Sequence, residues 1–150
     1  MKITIVTLNY NGSEETIELL KSLKEQAHST SSGQADQDFE TIVVDNASEE
    51  ADFKNLQTGV DRLIHSFPLT TSSRFFSPQS GDDKIEDPRF TENESGQVVH
   101  PQVKVIRNSQ NLGFSGGNNV GIRQALENGA SWVVLLNNDT WVERGFMERL

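Results

Sequence analysis

The chain has 150 residues, 34% of them apolar, a formal net charge of -9 at pH 7 and no cysteine. That length fits one domain with a sizeable core. The acidic balance argues against nucleic acid as a partner, because a phosphate backbone demands a basic face. The lack of cysteine removes disulfides, thiol nucleophiles and Cys-based zinc sites.

The opening "MKITIVTLNYNG" reads as a strand over Lys2 to Leu8, too short in its apolar run for a signal peptide or spanning helix. A cytoplasmic location is the resulting expectation. Ser13 or Asn11 can cap a helix running from Glu14 to about Gln26, in which Ile17, Leu20, Leu23 and Ala27 recur at helical spacing. A polar loop follows from His28 to Asp38. "FETIVVDN", Phe39 to Asn46, is a nearly continuous apolar run, the mark of a strand covered on both faces of a parallel sheet.

From about Glu49 to His65, Phe53, Leu56, Val60, Leu63 and Ile64 give a helical stripe that Gly59 weakens. Residues from about 67 to 101 are rich in Ser, Asp, Glu, Gly and Pro without a sustained period, and read as a polar, mobile insertion. Strand character returns in "VKVIRN", Val103 to Asn108. A Gly/Asn-rich turn leads into a helix from Ser115 or Gly116 to Asn128, with Val120, Ile122, Ala125 and Leu126 apolar and Gly129 at its C-cap. "SWVVLL" is a fourth strand. After "NNDT", "VERGFMERL" starts another helix. Trp132 and Trp141 read as packing residues, and Arg123, Arg144 and Arg149 as solvated.

Strands alternating with helices predict an α/β fold: a Rossmann-like, mostly parallel sheet with helices on both faces. Right-handed crossovers bring every strand's carboxyl end to one edge, where ligands of open α/β sheets bind. That edge collects Asn9, Tyr10, Asp45, Asn46, Arg107, Asn108 and Asn137 to Asp139. Asp45 is either turn chemistry or a carboxylate that accepts from a pyrimidine base or a ribose hydroxyl. In "NLGFSGGNNVG", Gly113, Gly116 and Gly117 permit close approach of a ligand, and the helix N-terminus behind them suits a sugar or phosphate. Asp139 is either a turn residue or a hard ligand for Mg²⁺ or Mn²⁺. Asn137 and Asn138 either bond a donor or support the turn.

Other motifs fail in context. "GFSGG" matches a hydrolase elbow, but all three His (His28, His65, His100) precede Ser115, against the order that elbow needs. They also form no zinc pattern. The dinucleotide fingerprint does not follow the first strand, and no P-loop is present.

Taken in order, "IVTLNYNG", "IVVDNAS", "VIRNSQNLGFSGGNN" and "VVLLNNDT" resemble the family 2 glycosyltransferases of the GT-A fold. The form "NxGFSGGNN…LLNND" is most similar to the rhamnosyltransferase-like branch, which acts on cell-surface polysaccharides. The resemblance covers most of the chain outside the insertion. It implies an inverting transferase whose donor is a nucleotide-diphosphate sugar, with dTDP-rhamnose or a UDP-sugar as candidates. The implied acceptor is a glycan or lipid-linked glycan, reached by peripheral association with the inner face of a membrane.

By match, Thr7, Asn9 and Tyr10 line the nucleotide pocket and Asp45 bonds the base. Arg107, Asn111, Gly113 and Asn118 border nucleoside and sugar, and Asn137 and Asn138 adjoin the donor. Asp139, the surviving acid of a D-x-D motif, holds the divalent cation. In the family the acceptor half and the general base follow this motif, so residues 1–150 read as the nucleotide-sugar-binding part of a GT-A domain. The acceptor-binding half is absent, and the base is expected beyond Leu150. A nucleotidyltransferase and a non-catalytic nucleotide-binding or assembly module, the latter as a homodimer, are the alternatives.

Overall fold

The computed structural model describes residues 2–27, 39–65, 75–76 and 102–150. The loop at 28–38 and the insertion, apart from residues 75–76, lie outside the described residues. The elements are β1 (Ile3–Asn9), α1 (Ser13–Ala27), β2 (Phe39–Asp45), α2 (Glu50–His65), β3 (Phe75–Phe76), β4 (Gln102–Arg107), α3 (Gly113–Glu127) and β5 (Trp132–Asn137). The five strands form one sheet in the order β3-β4-β2-β1-β5, and every pairing is parallel. β3 was not expected: two residues carry no period. It pairs Phe75 with Val105 and Phe76 with Ile106.

Alternation along β1, β2 and β4 divides the core between two faces. Ile3, Ile5, Phe39, Val43 and Val105 meet Leu19, Leu20 and Leu23 of α1 and Leu56, Val60 and Ile64 of α2 on one face. Val6, Ile42, Val44 and Ile106 meet Ala125 of α3 on the other. Each such aliphatic side chain contributes about 1.5–3 kcal/mol through burial. Helices on both faces agree with the expectation, although Leu126 of the predicted stripe is 59% exposed.

Two glycines set how closely the layers approach. An added Cβ at Gly59 would lie 2.2 Å from Cδ1 of Ile17, so the glycine that weakens α2 as a helix is what lets α1 lie against it. At Gly121 it would lie 2.4 Å from Cγ1 of Val6 and 3.0 Å from Cγ2 of Val44. Both valines are stiff at χ1 and fully buried. Gly121→Ala is therefore expected to destabilise by about 1–3 kcal/mol, the range for overpacking. Urea unfolding checks it; an unchanged midpoint would refute the tight α3–sheet contact.

Two further expectations are corrected. α3 ends in a Schellman arrangement, with Gly129 N–H donating to Leu126 O and Ala130 N–H to Ala125 O, so Asn128 takes the C-cap and Gly129 the next position. The helix expected after "NNDT" does not form. Gly145 adopts φ +80, a left-handed conformation that interrupts a helix, and only a 3-10 turn over Met147–Arg149 follows. Val142 and Met147 instead bury into the α1 face. There Ser22 Oγ accepts Val142 N–H at 3.2 Å, and Gln26 Oε1 accepts Gly145 N–H at 2.9 Å.

Trp132 and Trp141 are 63% and 64% exposed, against the packing role expected of them. Trp132 begins β5, which among the described residues has β1 as its one neighbour. Arg123, Arg144 and Arg149 are exposed as expected.

Candidate functional site

Strand register builds the site. Asn9 lies opposite Asp45, Asp45 opposite Arg107, and Leu8 opposite Asn137, so four strand ends finish at one edge. Asn9, Asp45 and Arg107 share the face covered by α1 and α2. Their polar groups meet the first turns of both helices, where backbone N–H groups lack partners.

Asn9 is the centre of this cluster and fully buried. Its Nδ2 lies 2.9 Å from Asp45 Oδ1, 3.1 Å from Asp52 Oδ2 and 3.1 Å from Ser48 Oγ. Its Oδ1 accepts from Thr16 Oγ1 at 2.8 Å. Asp45, also fully buried, accepts Ser48 N–H on Oδ2 at 3.3 Å and pairs with Arg107 Nε at 3.5 Å. The Ser48 hydroxyl accepts Asn11 N–H at 2.9 Å. The Arg107 guanidinium lies 4.1 Å over the Phe53 ring and bonds Glu50 Oε2 and Ser48 O.

The helix starts cap each other. Asp52 of α2 accepts Ser13 N–H at the start of α1 at 3.0 Å, and Asn11 accepts Glu49 N–H at the start of α2 at 2.8 Å. Asn11 thus serves α2 rather than α1. Asn11 and Ala47 follow β1 and β2 with φ 52 and φ 63. For alanine that conformation costs about 1–2 kcal/mol, and the bonds of the flanking Asn46 and Ser48 offset it.

Burial pushes the Asp52 carboxyl up, but hydrogen bonds from the Ser13 side chain and backbone, Asn9 and Ser48 outweigh it and hold the group below its ordinary value. A depressed folded-state pKa stabilises above the unfolded carboxylate range, and that stability disappears as pH falls through the folded value. Asp52→Ala is expected to cost about 1 kcal/mol at neutral pH, as for a helix cap. It should also flatten the acid limb of a stability–pH curve below the ordinary carboxylate pKa. Tm measured against pH checks both, and an acid limb identical to wild type would remove Asp52 from the cluster.

On the α3 side the organiser is Asn46. It is 2% exposed, and both its amide groups are used twice. Nδ2 donates to Asn111 Oδ1 at 2.9 Å and Gly113 O at 3.2 Å, while Oδ1 accepts Asn108 Nδ2 and Leu112 N–H, each at 3.0 Å. These bonds hold the loop from Asn108 to Gly113. Gly113 has φ +70, which its lack of a Cβ permits, and its N–H bonds Asn111 Oδ1 at 2.8 Å. α3 begins here, two residues before the expected start. Gly117 packs on Leu8 and Asn46, with no room for a Cβ.

The candidate residues fall into two groups. Tyr10, Asn111, Gly113, Asn137 and Asp139 are exposed at the edge, and Arg107 is partly so. Thr7, Asn9, Asp45 and Asn118 are buried beneath it. Thr7 Oγ1 has no hydrogen-bond partner among the described residues. Asn118 Nδ2 bonds Phe114 O, one turn back in α3. Asn138 is half-buried, and its Nδ2 turns inward to Gly12 O at 3.2 Å and Thr16 Oγ1 at 3.3 Å. Asp139 makes no hydrogen bond or ion pair among the described residues.

The sequence places Asn46 on the ligand edge and Phe53 in an apolar helical stripe, but assigns nothing to Asp52, Thr16 or Gly12. For these three no local pattern distinguishes a residue turned toward a strand end from any residue at the start of a helix. Among the described residues no three of His, Cys, Asp and Glu gather as a preformed metal cage. No helix among them is long and apolar enough to cross a membrane.

Comparison with known proteins supplies a family context. The family model described as Glycosyl transferase family 2 matches residues 91–150, the span that holds β4, α3 and the Asn137–Asp139 turn. No curated protein sequence matches the chain. Among solved structures, S. aureus TarS 1-349 is similar at 20% identity and TM-score 0.55, over 99% of this chain and 31% of that one. Its complex with UDP gives 18%, 0.56, 99% and 30% in the same order. The mannosyltransferase PcManGT from Pyrobaculum calidifontis, in complex with GDP-Man and Mn²⁺, is 18% identical at TM-score 0.57 over 97% of this chain and 30% of its own. The chain thus spans less than a third of the structures whose GT-A fold it shares.

Proposed function

We propose that these residues form the donor-binding part of a family 2 glycosyltransferase, gripping the nucleotide-diphosphate portion of an activated sugar. The observation that carries this reading is the convergence of four polar strand ends at one sheet edge. The loop and Asp139 turn of that edge lie in the span the family model matches.

In this reading Tyr10 and the exposed rim of Arg107 meet the nucleoside, and Asn111 and Gly113 the sugar. Thr7, Asn9, Asp45 and Asn118 sit directly behind them, and Asp45 acts on a base through the guanidinium it fixes. Asn137 and Asp139 face the diphosphate.

A divalent cation, Mn²⁺ or Mg²⁺, fits this donor set. Mg²⁺ is typically held by one or two carboxylates together with substrate phosphates, and Asp139 is an exposed carboxylate with no competing partner among the described residues. When bound, such an ion offsets charge growing on the departing diphosphate. With no group of three metal-ligating side chains among the described residues, Asp139 would hold the ion weakly until a diphosphate supplied the remaining oxygens. We further propose a donor of the dTDP-rhamnose or UDP-sugar type and a surface glycan as acceptor, on the likeness of "NxGFSGGNN…LLNND" to the rhamnosyltransferase branch.

Calorimetric titration with UDP, GDP and dTDP, each with and without Mn²⁺, tests the reading. Binding that tightens with Mn²⁺ is expected, and Asp139→Asn should abolish most of that gain, about tenfold or more. A folded sample that binds none of the three defeats the proposal. A second reading, an assembly module, is favoured by the exposed Trp132 and Leu135 on the β5 edge. Dimerisation on a sizing column without nucleotide binding would select it.

A further inference from the structure

Resting on the donor reading, we infer that Thr16 is a positioning residue that joins the turn carrying Asp139 to the buried cluster behind the nucleoside. Thr16 lies in the second turn of α1, fully buried and at neither strand edge. Its hydroxyl is within reach of three groups: Asn9 Oδ1 at 2.8 Å, Gly12 O at 2.9 Å and Asn138 Nδ2 at 3.3 Å.

The direction of these bonds follows from supply and demand. A hydroxyl has one proton and two acceptor sites. Gly12 O already accepts Thr16 N–H at 3.0 Å and Asn138 Nδ2 at 3.2 Å, whereas Asn9 Oδ1 has no other donor among the described residues. The Thr16 proton therefore goes to Asn9, and the oxygen's lone pairs receive the Asn138 amide. From Asn9 the bonds continue through Nδ2 to Asp45 and Asp52, and from Asp45 to Arg107. A line of hydrogen bonds closed by one ion pair thus runs from the neighbour of Asp139 to Arg107.

Gly12 supports this independently. A Cβ there would lie 2.7 Å from Asn138 Nδ2, so the glycine clears the space into which the Asn138 side chain reaches. Asn138 is thereby held on Thr16 of α1 and on Gly12 just before it, and the direction in which Asp139 projects is set by the helix that also fixes Asn9. The frame is common to both ends of the proposed donor.

Thr16→Val removes the hydroxyl at nearly constant volume, Thr16→Ser keeps it, and Gly12→Ala displaces Asn138 from the opposite side. Hydrogen–deuterium exchange without ligand reads the turn through the Thr140 amide, which bonds Asn137 O at 3.1 Å. Titration of UDP, GDP and dTDP with and without Mn²⁺ reads the site. Thr16→Val and Gly12→Ala should each speed Thr140 exchange and reduce the Mn²⁺-dependent gain in affinity, both by about five- to tenfold, the worth of one hydrogen bond. Thr16→Ser should restore both, and Thr16→Val combined with Asn138→Ala should be no worse than either alone.

A purely structural role would lower Tm and leave the Mn²⁺ gain intact; that result, or wild-type exchange in Thr16→Val, overturns the inference. A wild-type chain that binds no nucleotide overturns the donor reading. The ligand-free exchange rates then still decide whether Thr16 holds the turn.

Discussion

Asn46→Asp is expected to be the most damaging single-atom change in this molecule. The substitution replaces Nδ2 by an oxygen. Two donated bonds, to Asn111 Oδ1 and Gly113 O, become contacts between acceptors at about the same separations. The position is 2% exposed, so the new charge has little access to water. Losing two bonds and leaving their acceptors unsatisfied costs about 2–4 kcal/mol, before any cost of the charge. The loop from Asn108 to Gly113 should release, and the start of α3 with it. Two-dimensional amide spectra should show shifts concentrated at residues 108–117, together with a lower urea midpoint and loss of nucleotide binding. Asn46→Asp with a wild-type spectrum in that loop would show that other bonds hold it.

Asp45→Ala is expected to come next. The carboxylate is fully buried, accepts from Asn9 Nδ2 and Ser48 N–H, and pairs with Arg107 Nε. Truncation strands the Ser48 N–H and takes one of three acceptors from Asn9 Nδ2, while Arg107 keeps Glu50, Ser48 O and the Phe53 ring. A buried pair broken from one side costs about 3–5 kcal/mol. The partial exposure of Arg107 puts this case at the lower end, about 3 kcal/mol. Thermal unfolding measures it. Nucleotide titration of the folded fraction should show weakened binding with the Mn²⁺ dependence retained, because Asp139 is untouched. A variant as stable as wild type would mean that the Asn9 amide finds its acceptors in Asp52 and Ser48 alone.

The two predictions separate what each face of the sheet contributes. Asp45 belongs to the face where α1 and α2 cap each other through Asn11 and Asp52. Asn46, one residue on, points to the opposite face and ties down the loop before α3. Neighbouring residues at a strand end thus serve different layers, as the alternation of a strand requires.

Much of this was legible from residue order. The four long strands fall within a residue of their expected bounds, because buried parallel strands read as continuous apolar runs closed by Asn, Asp and Gly. The polar edge followed from topology alone. The failures share a cause. β3 is too short to carry a pattern, and the segment after Thr140 has helical composition but is drawn into the core by Val142 and Met147 with Gly145 as its hinge. Trp132 reads as a core residue by type, yet stands on a strand that, among the described residues, has one neighbour.

The sequence by itself determined the parallel α/β layout and which residues reach the ligand edge, since both depend on local periodicity and the fixed hand of crossovers. Only the tertiary structure decided what those residues do there. It buried Asn9 and Asp45, turned Asn138 inward and left Asp139 free among the described residues. Each of those outcomes depends on groups far away in the chain, such as Asp52 for Asn9 and Gly12 for Asn138. A hydrogen bond is chosen by the distance and unmet demand of its partners, and neither quantity exists until the helices have packed.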